Sequence, residues 1–153
     1  MEYTEVEDRV KDAIKRFEAE NLSLLEVEAN ERSLTHKLAE CLQLEFSGWN
    51  VDCEYNRKGF EIKKLNLNPV PILSDDDMGT TVYPDIIVHH RLIQEDNLLV
   101  IEAKKVEGDR DKGENDRKKL KAFLSELGYK FAIFVKFRIN HIMRVDYERV
   151  SID

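Results

Sequence analysis

The stretch Val82-Tyr-Pro-Asp-Ile-Ile-Val-His-His-Arg91, followed by Asn97-Leu-Leu-Val-Ile-Glu-Ala-Lys-Lys105, decides the fold of this chain. Each half contains a short apolar run rich in β-branched residues, and the polar residues between them are typical of a turn. Such runs are typical of central strands covered on both faces. The sequence therefore predicts two buried strands, with Asp85 opening the first and with Glu102 and Lys104 closing the second.

The register of this hairpin decides whether the charged residues meet. Side chains two residues apart in a strand point to one face, so Glu102 and Lys104 project together while Ala103 points away. Asp85 joins them only if it lies opposite Glu102 in the neighbouring strand.

Two registers are compatible with the sequence. If Arg91 and Asp96 close a four-residue loop over 92–95, Asp85 lies directly opposite Glu102. Centring the turn on the polar cluster instead leaves these carboxylates about 13 Å apart, at about 3.3 Å per residue. We predict the first register, which brings two carboxylates and an ammonium together.

The predicted triplet has the chemistry of a metal site. Two adjacent carboxylates repel each other unless a cation lies between them or one of them holds a proton. Mg²⁺ prefers such hard oxygen ligands and commonly takes one or two protein carboxylates. A neighbouring lysine can polarise the attacking water or neutralise charge in the transition state. The alternative is structural: Asp85 caps a strand, and Glu102 and Lys104 form surface ion pairs.

Pro84-Asp85, sixteen intervening residues and then Glu102-Ala103-Lys104 resemble the PD-(D/E)xK nuclease superfamily. The resemblance implies that Asp85, Glu102 and the backbone carbonyl of Ala103 bind Mg²⁺ or Mn²⁺. It also implies that Lys104 contacts the nucleophilic water.

The resemblance further implies a catalytic glutamate from the helix before the first of these strands, and Glu31 is the best match. The order of elements covers about residues 26–153 and implies a restriction-endonuclease-like α/β fold, with a central mixed β-sheet flanked by helices. Composition agrees with a globular fold, because 42% of the 153 residues are hydrophobic. Residues 1–25 are interpreted as an N-terminal helix and connector that pack on this core or on a partner.

The N-terminal helix is predicted over residues 4–20. Thr4 and Glu7 have the spacing of a capping box. Apolar residues recur every three or four positions and form one stripe, which consists of Val6, Val10, Ala13, Ile14 and Phe17. The following segment, 21–28, is predicted to be a connector.

A second helix is predicted over Glu31–Phe46, with Asn30 as its N-cap. Glu31 lies in the first turn, where the helix dipole favours a carboxylate, so a structural role is an alternative to a metal-site role. His36 is a weak candidate for contacting substrate phosphate or is a solvated side chain. Glu40 is the substitute for Glu31 if the register of the helix differs.

The remaining elements are a strand over 48–56, an irregular loop over 66–82, a helix over 111–127, a strand over 129–137 and an edge strand or short helix over 141–147. The loop contains Pro69, Pro71 and an acidic run, and it precedes Asp85 directly. Long irregular loops are usually functional or disordered, so it is interpreted as a substrate-facing flap or as an unstructured segment.

Charge is distributed unevenly along the chain. Residues 104–121 carry eight Lys or Arg against five Asp or Glu, whereas residues 1–61 carry fifteen acids against eight bases. Lys105, Arg117 and Lys118 are therefore candidates for contacting a phosphate backbone, although a solvated helix face explains them equally well. The net charge of −7 does not favour nonspecific nucleic-acid binding.

The expected environment is the cytoplasm. Cys41 and Cys53 match no zinc spacing and are expected to be reduced thiols. No run of eighteen apolar residues is present, and the acidic N-terminus does not resemble a signal peptide. We expect no membrane association, and the resemblance implies a possible homodimer.

The predicted function is a metal-dependent nuclease, a hydrolase that cleaves phosphodiester bonds in DNA, with RNA left open as the substrate. The alternative is a catalytically inactive module with the same fold that binds nucleic acid or protein. A third hypothesis is a small subunit that docks through the N-terminal helix.

Overall fold

The computed structural model of the protein describes residues 1–26, 29–54, 57–58, 61–62, 64–65, 80–81, 83–93, 96–108, 110, 113–140 and 142–152. In chain order, its elements are α1 (Tyr3–Glu26), α2 (Glu31–Glu45), β1 (Asn50–Cys53), β2 (Arg57–Lys58), β3 (Glu61–Ile62), β4 (Lys64–Leu65), β5 (Thr80–Thr81), β6 (Ile86–His89), β7 (Asn97–Glu107), α3 (Glu114–Leu127), β8 (Phe131–Ile139) and β9 (Arg144–Val150).

The core is a five-stranded mixed sheet with the order β1-β6-β7-β8-β9. The central strand β7 runs antiparallel to β6 and parallel to β8, while β1 and β9 form the edges. The first seven residues of β7 are buried, as expected for an apolar strand covered on both faces. The predicted α/β class, with a mixed sheet flanked by helices, is confirmed.

Helices α1 and α2 cover one face of the sheet. The whole apolar stripe of α1 is buried, and the Phe17 ring centroid lies 5.4 Å from that of Phe137 in β8. The helix does not end before Asn21 as predicted: it kinks there, at φ −127° and ψ 18°, and continues to Glu26. Leu25 is fully buried, so its packing favours the extra turn over the predicted connector. Thr4 lies inside the helix, which begins at Tyr3, so the predicted capping box is wrong.

Helix α2 begins as predicted. The Asn30 side-chain oxygen accepts a hydrogen bond of 2.8 Å from the Ser33 N–H, which satisfies one of the unpaired donors of the first turn. The helix ends at Glu45, and Phe46 is its C-cap.

Helix α3 covers the opposite face, where Leu120, Phe123 and Leu127 pack against the sheet. It begins at Glu114, while the predicted first residues 111–112 lie outside the described part of the chain. Gly113 precedes the helix with φ +117°, and a Cβ atom there would overlap the Phe134 ring. Gly128 ends the helix in the left-handed conformation, as predicted.

The hairpin β6–β7 has the predicted register near its charged end. Ile86 pairs with Ile101 and Val88 with Leu99, so the residue before Ile86 lies opposite Glu102. A register shift follows between Val88 and His89.

The register shift between Val88 and His89 is a β-bulge, and because of it the predicted closing pair of Arg91 and Asp96 is wrong. Instead, His90 donates its N–H to the Asp96 carbonyl over 3.1 Å. The extra residue lengthens the loop by one position without changing the register at the charged end.

Two side-chain clusters tie the loop end of this hairpin to β1. The buried His89 has its Nε2 atom 2.7 Å from Asp52, which also accepts two hydrogen bonds from Arg91. The His90 ring stacks on Trp49 at 4.0 Å between centroids.

The other strands differ in length from the predictions. Strand β1 covers only 50–53 of the predicted 48–56, and residues 55–56 lie outside the described part. Thr80–Thr81, at the end of the predicted loop, pairs with β4, while 66–79 and 82 lie outside the described part. Strand β8 is shifted by two residues from 129–137, and the last element is the edge strand β9.

Cys41 and Cys53 are both free thiols. In the part of the chain that the structure describes, no helix has the length and apolar character needed to cross a bilayer.

Candidate metal and phosphodiester site

The site lies where β6 begins beside the middle of β7. Asp85 directly precedes β6, and its carboxylate accepts a hydrogen bond of 2.8 Å from the Ala103 N–H. Because the N–H and C=O of one strand residue point to the same side, the Ala103 carbonyl also faces the region of Asp85. The backbone of β7 thus fixes the Asp85 side chain beside Glu102.

Glu102 is buried, with only 2% of its surface exposed. Burial, a hydrogen bond with Asp85 and the negative charge of Asp85 raise the pKa of Glu102 well above its usual range, although the Lys119 ammonium acts in the opposite direction. The Oε1 atom of Glu102 has no hydrogen-bond partner within the described residues. A buried carboxylate oxygen of this kind is costly unless a cation or a proton compensates it.

Lys104 lies on the same face of β7 as Glu102, as predicted, but its ammonium is turned towards α3. Its Nζ atom lies 3.6 Å from Asp116 Oδ2, and 38% of the side chain is exposed. Ala103 points to the opposite face and joins the core beneath α1 and α2.

The cation that contacts Glu102 belongs to a residue that the sequence reasoning missed. Lys119 of α3 has its Nζ atom 2.9 Å from Glu102 Oε1, an ion-pair contact outside hydrogen-bonding alignment. The same ammonium donates to the Tyr83 carbonyl over 3.2 Å. A signal was present in the sequence, because Lys119 lies three residues after Asp116 and four before the buried Phe123. These positions share one helix face, which is the face that covers the sheet.

Glu31 reaches the neighbouring part of β7. Its Oε2 atom accepts a hydrogen bond of 3.0 Å from the Lys105 N–H. Asp85 and Glu31 therefore bind alternate N–H groups along β7, which lie about 7 Å apart at about 3.3 Å per residue. The described residues contain no group of three His, Cys, Asp or Glu side chains arranged to hold a metal ion, so Glu31 does not complete a three-ligand group with Asp85 and Glu102.

A cleft of about 850 Å³ adjoins the site on the α2 side, and Asp85 and Glu31 are both among its lining residues. Its basic lining residues are Arg32, His36 and Lys37. His36 is paired with Glu40 at 2.8 Å on the exposed surface of α2. The predicted substitute for Glu31, Glu40, therefore forms a surface pair with His36.

The predicted phosphate-binding residues have other contacts. The Lys105 ammonium donates to the Ala29 carbonyl over 3.5 Å. Arg117 pairs with Glu148 and lies over the Phe134 ring. Lys118 is exposed on α3.

The donor set at β6–β7 fits a hard divalent cation. It combines two carboxyl groups in contact, one with a buried oxygen that has no hydrogen bond and only the Lys119 ammonium beside it, and a strand carbonyl directed at the same region. Oxygen ligands of this kind are the ones that Mg²⁺ and Mn²⁺ prefer.

Comparisons with known proteins identify no family for this chain. No family model matches the sequence. No curated protein matches it either. Among solved structures, the chain resembles the one described as "Crystal structure of SSO0001", with a TM-score of 0.41 and 18% sequence identity over 93% of this chain. The chain spans 66% of that protein, just under two thirds of its length.

Proposed function

We propose that this protein is a divalent-metal-dependent nuclease with a restriction-endonuclease-like core, acting on DNA. The observation that carries the proposal is the buried Glu102 carboxyl group, held against Asp85, whose Oε1 atom has an ion-pair contact with Lys119 but no aligned hydrogen bond. Two carboxyl groups in contact at this depth need a proton or a cation to compensate their charge, and the Lys119 ammonium does so only in part. The strand order supports the same proposal, because the PD and ExK motifs occupy adjacent antiparallel strands.

Asp85, Glu102 and the Ala103 carbonyl would hold the metal. When bound, Mg²⁺ would lower the pKa of a coordinated water and neutralise charge on the phosphate. The chain supplies the geometry in advance, because the Ala103 N–H already orients Asp85. Burial of Glu102 excludes bulk water from one side and strengthens electrostatic interactions there.

Lys104 is assigned to orienting the attacking water. It shares the face of Glu102, two residues further along β7, and its flexible stem allows the ammonium to leave Asp116. Glu31 is assigned to positioning, because it binds the backbone N–H of the residue after Lys104. The adjoining cleft, with Arg32, His36 and Lys37 among its lining residues, is the proposed path of the nucleic-acid backbone.

The proposal is tested by titrating Mn²⁺ into the wild type and the Asp85→Asn variant by calorimetry. The asparagine oxygen can still accept the Ala103 N–H, so the variant retains the fold while losing the charge. We expect binding in the wild type and a loss of at least tenfold in the variant, because one of two ligand charges is removed. Asp12→Asn, on the exposed face of α1, is the matched control.

Activity is measured on supercoiled plasmid, on single-stranded DNA and on RNA with Mg²⁺ or Mn²⁺. Cleavage by the wild type and by Asp12→Asn, but not by Asp85→Asn, is the expected result. If neither metal binding nor cleavage occurs in any of the three proteins, the nuclease proposal is wrong.

One observation favours an inactive binding module as a second candidate. The Lys119 ammonium partly neutralises Glu102 from within the chain. If this ion pair is permanent, it replaces the metal, and the site is structural. In that case, the wild type binds nucleic acid equally well with and without Mg²⁺ and leaves it intact.

A further inference from the structure

Lys119 links α3 to both halves of the candidate site. Its ammonium contacts Glu102 Oε1 at 2.9 Å and donates to the carbonyl of Tyr83, two residues before Asp85. It also lies 5.9 Å from the centroid of the Phe123 ring. The side chain is 27% exposed, whereas that of Glu102 is 2% exposed, so the ammonium closes the solvent side of a buried carboxylate.

A divalent cation and this ammonium would compete for Glu102 Oε1. Mg²⁺ binds its oxygen ligands at about 2.0–2.1 Å in strict octahedral geometry, and the remaining positions carry water or substrate oxygens. An ammonium 2.9 Å from the same oxygen would occupy the volume of those ligands and repel the cation. Lysine has a flexible four-carbon stem, so its ammonium can move away without displacement of the α3 backbone.

We propose that Lys119 is the internal counter-ion of the metal-free site, that its ammonium leaves Glu102 when a divalent cation binds, and that this exchange sets the metal affinity. The inference rests on the proposed function, since it presupposes a metal at Asp85 and Glu102. Lys104, whose ammonium lies at Asp116, has no such contact with Glu102. The two lysines therefore have separate roles: Lys119 competes with the cation for Glu102, and Lys104 orients the attacking water.

The first test is calorimetric titration of Mn²⁺ into the wild type, Lys119→Met and Lys119→Gln. Removing the competing ammonium should tighten binding on the order of tenfold, a typical coupling between two ligands. Lys119→Gln keeps a donor for the Tyr83 carbonyl and serves as the second variant if Lys119→Met is unstable. Lys121→Met, on an exposed part of the same helix, controls for the general loss of one positive charge and should bind as the wild type does.

The second test needs no substitution. Acetylation of lysines in the wild-type protein is compared by mass spectrometry with and without Mg²⁺ at a fixed pH. Displacement of the ammonium should raise the reaction rate of Lys119 several-fold while that of Lys121 stays constant.

The outcomes separate the two proposals. If the wild type binds Mn²⁺ and both Lys119 variants bind it equally or more weakly, the counter-ion inference is wrong and the nuclease proposal stands. If bound Mg²⁺ does not change the acetylation rate of Lys119, the counter-ion inference is likewise wrong. If no variant binds Mn²⁺, including those that lack the ammonium, the metal site itself is wrong and the inference fails with it.

Discussion

At the scale of single residues, His90 is bound by acceptors at both ring nitrogens. Its Nδ1 atom lies 2.9 Å from Asp96 and its Nε2 atom 2.9 Å from the Gly48 carbonyl oxygen. Both contacts are satisfied only when each nitrogen carries a proton. The hydrogen bonds to Asp96 and to the Gly48 carbonyl therefore raise the pKa of His90, although burial opposes them.

This arrangement predicts a stability that falls with rising pH. Because the pKa of His90 is higher in the folded protein than in the unfolded chain, its protonation stabilises the fold. This stabilisation is fully present below the pKa of the unfolded chain, about 6.5, and is lost as pH rises through the pKa of the folded protein. Thermal unfolding between pH 5.5 and 9 should show this loss in the wild type. The His90→Phe variant retains an aromatic ring over Trp49 and should lack the pH dependence.

The same titration has an optical readout. Trp49 is the single tryptophan and stacks on the His90 ring with 6° between the planes. A protonated imidazole quenches indole emission, so Trp49 fluorescence should increase as His90 loses its proton. An emission that stays constant over this pH range would contradict the assignment.

Asp52 gives a prediction of the opposite sign. Burial alone would raise its pKa, but hydrogen bonds from Arg91 and His89 outweigh burial and lower the pKa of Asp52. Its contribution to stability is present above the unfolded value of about 3.9 and is lost as pH falls through the folded pKa. Asp52→Asn should reduce the free energy of unfolding by about 2 kcal/mol at pH 7, because charge-assisted hydrogen bonds are lost. Urea unfolding measures this, with the exposed Asp12→Asn as control.

The positions of single residues were predicted correctly where they follow from the two-residue period of a strand. Glu102 and Lys104 share a face because they are two residues apart, and Asp85 meets Glu102 because the hairpin register places it there. Lys119 was missed because its position depends on how α3 is rotated and placed over the sheet. No local sequence pattern predicts how a helix is placed over a strand that lies fifteen or more residues earlier in the chain.

At the scale of elements, Gly113 controls how α3 approaches the sheet. Its φ of +117° is unfavourable for other residues, and a Cβ atom would overlap the Phe134 ring beneath the helix start. Gly113→Ala should therefore destabilise the protein by about 2 kcal/mol. Thermal or urea unfolding provides the measurement.

A substitution at a second glycine distinguishes the cost of backbone strain from the cost of steric overlap. Gly108 also has a positive φ, +64°, but a Cβ atom there meets nothing within 4 Å. Gly108→Ala should cost about 1 kcal/mol from conformation alone. Equal losses for both variants would show that the contact with Phe134 contributes nothing.

Element boundaries were predicted well where a local signal exists. Asn30 and Gly128 act on the backbone within a few residues: Asn30 caps the start of α2 and Gly128 ends α3, both as predicted. The extension of α1 to Glu26 was not predictable in this way, because it depends on the burial of Leu25 against distant parts of the chain.

At the scale of the whole molecule, α1 is part of the core. Its apolar stripe lies under the sheet with Phe137 and Val145, which are more than a hundred residues away in sequence. Phe17→Ala should lower the free energy of unfolding by about 3–5 kcal/mol, the usual cost of emptying a buried aromatic site. Leu22→Ala, at a position that is 41% exposed on the same helix, should change it by less than about 1 kcal/mol.

This comparison also tests the third hypothesis from the sequence. If α1 served mainly to dock on a partner, Phe17→Ala would leave the isolated chain stable and weaken an association instead. Denaturant unfolding together with light scattering distinguishes these results.

The fold class was predictable because alternating helical and strand patterns with buried strands restrict the layers a chain can form. The candidate site was less predictable, because its side chains come from the start of β6, from β7 and from α3, which are separate elements. Their arrangement follows from tertiary packing, and fold alone does not determine function.

The bulge between Val88 and His89 has a consequence for how this chain tolerates change. A one-residue slip in a strand pair moves every side chain to the other face, which would part Asp85 from Glu102. The register shift lets the pairing of His89 with Asn97 follow one alignment while the end at Asp85 and Glu102 follows another. Changes in chain length beyond His89 can therefore be absorbed locally, without altering the pairing that places Asp85 opposite Glu102.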